Sequence, residues 1–177
     1  MKHQIEIRSA TESDIPAIAN VLVDTWRSTF HGLLPSDFLD NMSCAQQAER
    51  HLRMFRKPDS IYHVASDPLG DIVGFATGGP TRHPEFQYQN ELYAIYVRAS
   101  HQGSGIGTTL YRTLADDLHR SNRAGLIVWV LINNPNRRFY ERHGGTLIER
   151  QPITLGSATV DEVAYGWDTI APATDRD

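Results

Sequence analysis

Between Glu91 and Ile132 the chain spells out a strand, a glycine-rich turn, an amphipathic helix and a second strand in succession, and that order restricts the architecture more than any other stretch. Glu91 to Val97 is dense in apolar, aromatic and β-branched side chains, which suit a pleated and largely buried surface. From Ser104 to Arg120 the residues Ile106, Leu110, Leu114 and Leu118 recur every four positions, the apolar stripe of a helix that Gly125 then stops. Leu126 to Ile132 is a near-continuous apolar run, as in a strand covered on both faces. A helix linking two strands in this way implies that the strands lie parallel.

The flanking segments add antiparallel elements. Gln4 to Arg8 alternates around Ile5 and Ile7 like a half-buried strand, and Ile15, Ile18, Ala19, Leu22 and Trp26 then fall on one helical face. Ser13 suits the N-cap, and Pro16 sits in the first turn, where it forfeits no hydrogen bond. A second helical region follows Gly32 and Pro35 and is firmest from Cys44 to Phe55, with Ser43 and Gln46 as a capping box and Pro58 as terminator. Ile61 to Ala65 and Ile72 to Thr77 form a predicted hairpin around Asp67 to Gly70, and Gly78 to Asn90 reads as a long loop. Asn134-Pro135 predicts a helix running to about His143, and Thr146 to Glu149 with Ala158 to Trp167 predict two closing strands around Gly156. The fold class is a mixed α/β (α+β) sheet with helices on it.

Composition removes several functions. The formal charge of −4 gives no surplus of clustered cations for nucleic acid. The N-terminus has no signal-peptide pattern, and no apolar run is long enough to span a bilayer, so the expected location is cytoplasmic, with no membrane partner. The single cysteine, Cys44, has no intrachain partner, and the eight histidines lack ligand spacing, so no metal is expected. At 177 residues one domain is expected, residues 1–170, with 171–177 as a tail. A homodimer stays open, because no coiled-coil seam is visible.

The turn His101-Gln102-Gly103-Ser104-Gly105-Ile106-Gly107-Thr108 opens a helix, where free peptide N–H groups and the helix dipole favour an anion. A dinucleotide fingerprint would need glycine at Thr108, and a P-loop would need a Lys-Ser/Thr pair, so neither applies. A strand ending in Tyr96-Val97 followed by Gln-x-x-Gly-x-Gly resembles the acetyl-CoA motif of the GNAT superfamily. Asn133, followed by Phe139-Tyr140 on the next helix, resembles that family's second motif, and the opening strand and helix are similar too. Two departures are Asn136, where alanine is usual, and Gly145, where phenylalanine is common. The resemblance implies a mostly antiparallel sheet of about seven strands with one parallel pair and about four helices. It also implies acetyl-CoA as cosubstrate, its pyrophosphate on the amides of Gln102, Gly103, Ser104, Gly105, Ile106, Gly107 and Thr108. Its pantetheine would lie along Ile95, Tyr96 and Val97 and near Asn133 and Asn136.

Acetyl transfer requires a neutral amine, whereas alkyl amines have pKa values near ~10.4, so a proton must leave first. The resemblance offers Glu91 as base, with Glu85 in reserve or a water chain. Tyr140, by the same resemblance, protonates the departing thiolate, and the Val97 N–H meets the developing oxyanion. The acceptor is expected to be a small-molecule or peptide amine. Trp26, Phe30, His31, Phe38, Phe86 and Tyr88 could line an apolar slot, with Trp26 and Phe38 more simply read as core. Asp24, Asp37, Asp40 and Glu85 could attract a cationic amine or merely be solvated. A non-catalytic acyl-CoA sensing module is the alternative.

Overall fold

The computed structural model describes residues 5–170; the expectations for Gln4 and for a tail at 171–177 fall outside the described residues. The chain runs β1 (Glu6–Ser9), α1 (Ile15–Thr29), α2 (Ser36–Asp40), α3 (Cys44–Phe55), β2 (Ile61–Ser66), β3 (Ile72–Pro80), β4 (Asn90–Val97), α4 (Ile106–Arg120), β5 (Leu126–Leu131), α5 (Arg138–Arg142), β6 (Thr146–Leu155) and β7 (Ala158–Trp167). The strands form one seven-stranded sheet in the order β1-β2-β3-β4-β5-β7-β6, antiparallel except for β4 and β5. The expected mixed sheet with one parallel pair is what forms. Among the described residues the helices number five, against about four expected, because the region after Pro35 breaks at Asn41 into α2 and α3.

Several boundaries differ for local reasons. Ser13 is not the cap of the first helix. Thr11 and Asp14 close on each other instead, the Thr11 N–H donating to Asp14 Oδ2 at 2.8 Å and the Asp14 N–H to the Thr11 carbonyl at 3.0 Å. Arg8 grips the same Asp14 carboxylate. β3 continues through Gly78 to Pro80, so the predicted loop shortens to 81–89. Asn134 does not start a long helix. Its Oδ1 accepts from the Asn136 N–H at 2.8 Å, and carbonyls of Asn134, Asn136 and Arg137 take N–H groups three residues on, so the chain winds through tight turns before α5.

The sheet is covered on both faces. One side of it packs against Leu110, Leu114 and Leu118 of α4, and the other against Ile18, Val21 and Leu22 of α1, with α3 beyond. α1 carries its apolar residues as the sequence periodicity predicts. Asn90 pins the start of β4, its Nδ2 donating to the carbonyls of Arg123 and Gly125 at 2.9 Å each.

One irregularity sets up the site. In the β3–β4 ladder Thr77 pairs with Ala94 but Gly78 pairs with Leu92, so Tyr93 is an extra residue in β4. Such a bulge bends its strand and resets which side chains face which way. Leu92 therefore packs toward α4, whereas Ala94 and Tyr96 pack toward α1. The pairing of β4 with β5 covers only Asn90 to Leu92 against Leu126 to Val128, and the strands part where the bulge lies. The Arg98 N–H donates to the Val73 carbonyl at 2.8 Å, which fixes the alternation of the antiparallel ladder. Tyr96 and Ala94 bond to β3, while the peptide groups of Ile95 and Val97 face the gap.

Candidate active site

The gap between the parted strands is a cleft of about 320 Å³. Its floor is the turn between β4 and α4. Gly103 and Gly105 have φ of +74° and +86°, and a Cβ placed on either would meet nothing within 4 Å. These are conformations that L side chains avoid, held where the space in front of the backbone is open. The first bond of the helix runs from the Thr109 N–H to the Gly105 carbonyl at 3.0 Å, so the amides of Ile106, Gly107 and Thr108 have no intrahelical acceptor. Among the described residues no carbonyl takes the N–H of Gly103, Ser104 or Gly105 either. Free amides at the positive end of α4 suit a pyrophosphate.

Most of the residues expected to hold the cofactor line this cleft: Ile95, Tyr96 and Val97, then Gln102, Gly103, Gly105, Ile106, Gly107 and Thr108, with Asn136 opposite. Gln102 does a second job with its side chain, donating from Nε2 to the Val97 carbonyl at 2.9 Å and so tying the turn to the strand end. Ser104 and Asn133 do not reach the cleft wall. The Ser104 hydroxyl donates back to the His101 carbonyl, and the turn closed by the Asn134 N–H on the Leu131 carbonyl leaves Asn133 exposed and puts Asn134 in the lining.

Tyr140 lines the same cleft and is 8% exposed, its ring stacked 5.9 Å from that of Tyr165. Burial pushes its phenol well above the ordinary tyrosine value, and the neighbouring phenols of Tyr96 and Tyr111 add to the shift. The group is therefore protonated across the neutral range. Gly145 stands where it does because of Trp167: a Cβ there would lie 2.6 Å from the indole, which already occupies the space a larger side chain would need.

α1 and the residue that ends it supply a wall of which the sequence reading named only Phe30. Thr25, Thr29 and Phe30 line the cleft, and the Thr25 hydroxyl is buried without a hydrogen-bond partner. The available signal was a polar residue in line with the apolar stripe, three positions after Leu22.

Glu91 is brought to neither cavity as a free carboxylate. It is wholly buried, and Arg82 surrounds it: Nη2 donates to Oε1 at 2.5 Å, Nε to both oxygens at 3.2 Å, and the Arg82 backbone N–H to Oε2 at 2.8 Å. Burial on its own would lower the Arg82 pKa, but the Glu91 carboxylate more than compensates and holds it raised. Glu85 is an exposed loop residue beside His83.

A second cavity of about 220 Å³ lies on the α1 and α3 side of β4. Tyr96 borders both spaces, its hydroxyl accepting from Trp26 Nε1 at 2.9 Å. Trp26 and Phe38, more simply expected in the core, line this second cavity, whereas Phe86 and Tyr88 pack elsewhere around Ile127. None of Asp24, Asp37, Asp40 and Glu85 lines it, and Asp24 is paired with Arg98.

Comparison with known proteins agrees with this geometry. The acetyltransferase (GNAT) family profile matches residues 17–145. The uncharacterized N-acetyltransferase YuaI of Bacillus subtilis is 30% identical over 167 residues, covering 94% of this chain and 95% of that protein. Phosphinothricin N-acetyltransferase of Streptomyces viridochromogenes is 23% identical over 82% of this chain and 76% of its own length. Among solved structures, the PaiA N-acetyltransferase of Thermoplasma acidophilum in complex with coenzyme A superposes with a TM-score of 0.72 at 18% identity, over 93% of this chain and 99% of that one. A phosphinothricin acetyltransferase of Sinorhizobium meliloti in complex with AcCoA gives 0.73 at 19%, over 97% and 92%. A profile spanning well over half the sequence and a relative alike along almost all of it agree with the split strands and the open amide turn: the chain belongs to the GNAT family of acetyltransferases.

Proposed function

We propose that the chain transfers acetyl from acetyl-CoA to the primary amine of a small molecule, by direct attack. The observation that carries this reading is Tyr96, which borders both the cleft floored by free amides and a separate cavity of a size for a small acceptor. At about 220 Å³ that cavity falls below the ~300–1,000 Å³ of sites for drug-sized ligands. Relatives named for phosphinothricin, a small molecule, support the same scale.

Acetyl-CoA supplies an activated acyl group on a thiol leaving group. The amides of Gly103 to Thr108 hold its pyrophosphate, and the peptide group of Ile95 pairs with the pantetheine arm. The Val97 N–H faces the gap, where it can donate to the carbonyl oxygen as charge develops there. The acceptor nitrogen forms the new C–N bond as the C–S bond breaks, and Tyr140 gives its proton to the departing sulfur. Among the described residues no carboxylate lines either cavity, so the ammonium proton leaves to water. Glu91 acts as a positioning residue through Arg82.

The test is acetyl-CoA titration by calorimetry, then release of free thiol with a panel of small primary amines. Saturable binding with amine-dependent thiol release is expected. Binding with no turnover on any amine overturns the reading in favour of a sensing module.

A further inference from the structure

The second cavity has a definite charge character. Two arginines line it, Arg50 and Arg82, and among the described residues no Asp or Glu does. Arg82 is spent largely on Glu91, and its remaining face lies over the Tyr93 ring at 4.7 Å. Arg50 has no carboxylate partner among the described residues, yet its charge acts on the wall: it adds to the burial that lowers the His51 pKa and works against the burial that raises the phenols of Tyr62 and Tyr96. Of the two carboxylates that act on Arg82, Glu91 is held by its guanidinium, and Glu162 accepts from the Gln151 side chain at 2.8 Å.

The other polar groups of the wall are neutral. Burial, aided by Arg50, drives the His51 imidazole down to about 4, and its Nδ1 pairs with the Tyr62 hydroxyl at 3.0 Å. Thr77 is fully buried and lines the cavity, and its Oγ1 has no hydrogen-bond partner although the Tyr62 hydroxyl is near. An unsatisfied buried hydroxyl costs free energy unless something enters to meet it. Trp26 and Phe38 add apolar surface to the lining. A diamine or other polycation would find no counter-charge here, while a carboxylate would meet an unpaired guanidinium, which binds it in a bidentate fork.

We infer that the acceptor is a small amino acid-like molecule, an amine that also carries a carboxylate, with the carboxylate on Arg50 and an apolar side chain against Trp26 and Phe38. This rests on the acetyl-transfer reading above and narrows it. The amine end then points past Tyr96 toward the acetyl group, and the same transfer follows.

The experiment compares matched pairs that differ only in the acid group: L-leucine against 3-methylbutylamine, L-methionine against 3-(methylthio)propylamine, and L-phenylalanine against 2-phenylethylamine. Each is assayed by thiol release and mass detection of the product. At least about a tenfold higher kcat/KM for the acid member of at least one pair is expected, the scale of one charge-assisted contact. Arg50→Met lowers that acid-to-amine ratio by about tenfold, Arg50→Lys lowers it less, and both keep the wild-type Kd for acetyl-CoA, which reports an intact fold and cleft. Equal or better turnover of the decarboxylated amines, or a ratio unmoved in Arg50→Met, overturns the inference while leaving the acetyltransferase reading in place. Turnover of neither member of any pair overturns this inference, and if the wider amine panel is also silent the acetyl-transfer reading falls with it.

Discussion

The Glu91 carboxylate is sealed inside the protein while the Arg82 side chain that holds it is 47% exposed, so the two partners of one ion pair differ sharply in their access to water. Their removal is therefore not symmetrical. Arg82→Met leaves a buried, uncompensated carboxylate and is expected to cost about 3–5 kcal/mol, whereas Glu91→Gln leaves a guanidinium that water can reach and is expected to cost about 1–3 kcal/mol. The double variant regains part of the Arg82→Met loss. Urea unfolding of the four proteins measures the order. In kinetics, Glu91→Gln raises the acceptor KM more than it lowers kcat and keeps the acidic limb of the pH–rate profile, which a catalytic base would lose.

Tyr140→Phe removes a proton from the cleft without emptying the space its ring fills. A fall in kcat of about 10²- to 10⁴-fold is expected, with the Kd for acetyl-CoA within about threefold of wild type. Pre-steady-state thiol release and calorimetry separate the two quantities. A loss of binding that matches the loss of rate would assign the ring to packing.

Gly105→Ala places a Cβ in the left-handed region, at about 1–2 kcal/mol of backbone strain, and in the open space where the pyrophosphate is proposed to sit. Affinity for acetyl-CoA is expected to fall at least about tenfold, more than the strain alone would take from a cleft that bound its ligand elsewhere. Calorimetry with coenzyme A, compared with thermal melting of the free protein, distinguishes lost binding from lost stability.

Stability falls on the acid side because of His51. Its folded pKa lies near 4 against an ordinary 6.5, so as pH drops the unfolded chain takes up the proton first. The contribution is complete above about 6.5, is lost between there and about 4, and amounts to on the order of 3 kcal/mol. Asp14, held far below its ordinary value by Arg8, loses its contribution only below 3.8 and so lies outside this window. Thermal melts over that range are expected to slope in the wild type. His51→Phe flattens the slope, after a fixed cost of about 1 kcal/mol for the partner lost by Tyr62.

Much of the fold was legible in periodicity. The stripes of α1 and α4 and the apolar run of β5 each repeat a local pattern, and local patterns survive any tertiary arrangement. The turn from Gln102 to Thr108 was equally plain, because glycine at positive φ before a helix is a property of a few adjacent residues. The winding after Asn134 was less so, since its side chain accepts from the Asn136 N–H two residues on rather than capping a long helix.

Contacts distant in sequence were not legible. Glu91 as a residue type on that strand suits a base, but only the folded chain brings Arg82 onto its carboxylate. Nor could the pattern show that α1 turns Thr25 into the cleft, or that Trp26 and Phe38 line a second cavity beside Arg50. By itself the sequence determined most of the elements, their order and the glycine turn that opens α4, since these follow from backbone preferences over a few residues. The tertiary structure alone decided which charges are spent and which remain free, because a side chain's electrostatics depend on burial and on partners that the chain meets only on folding.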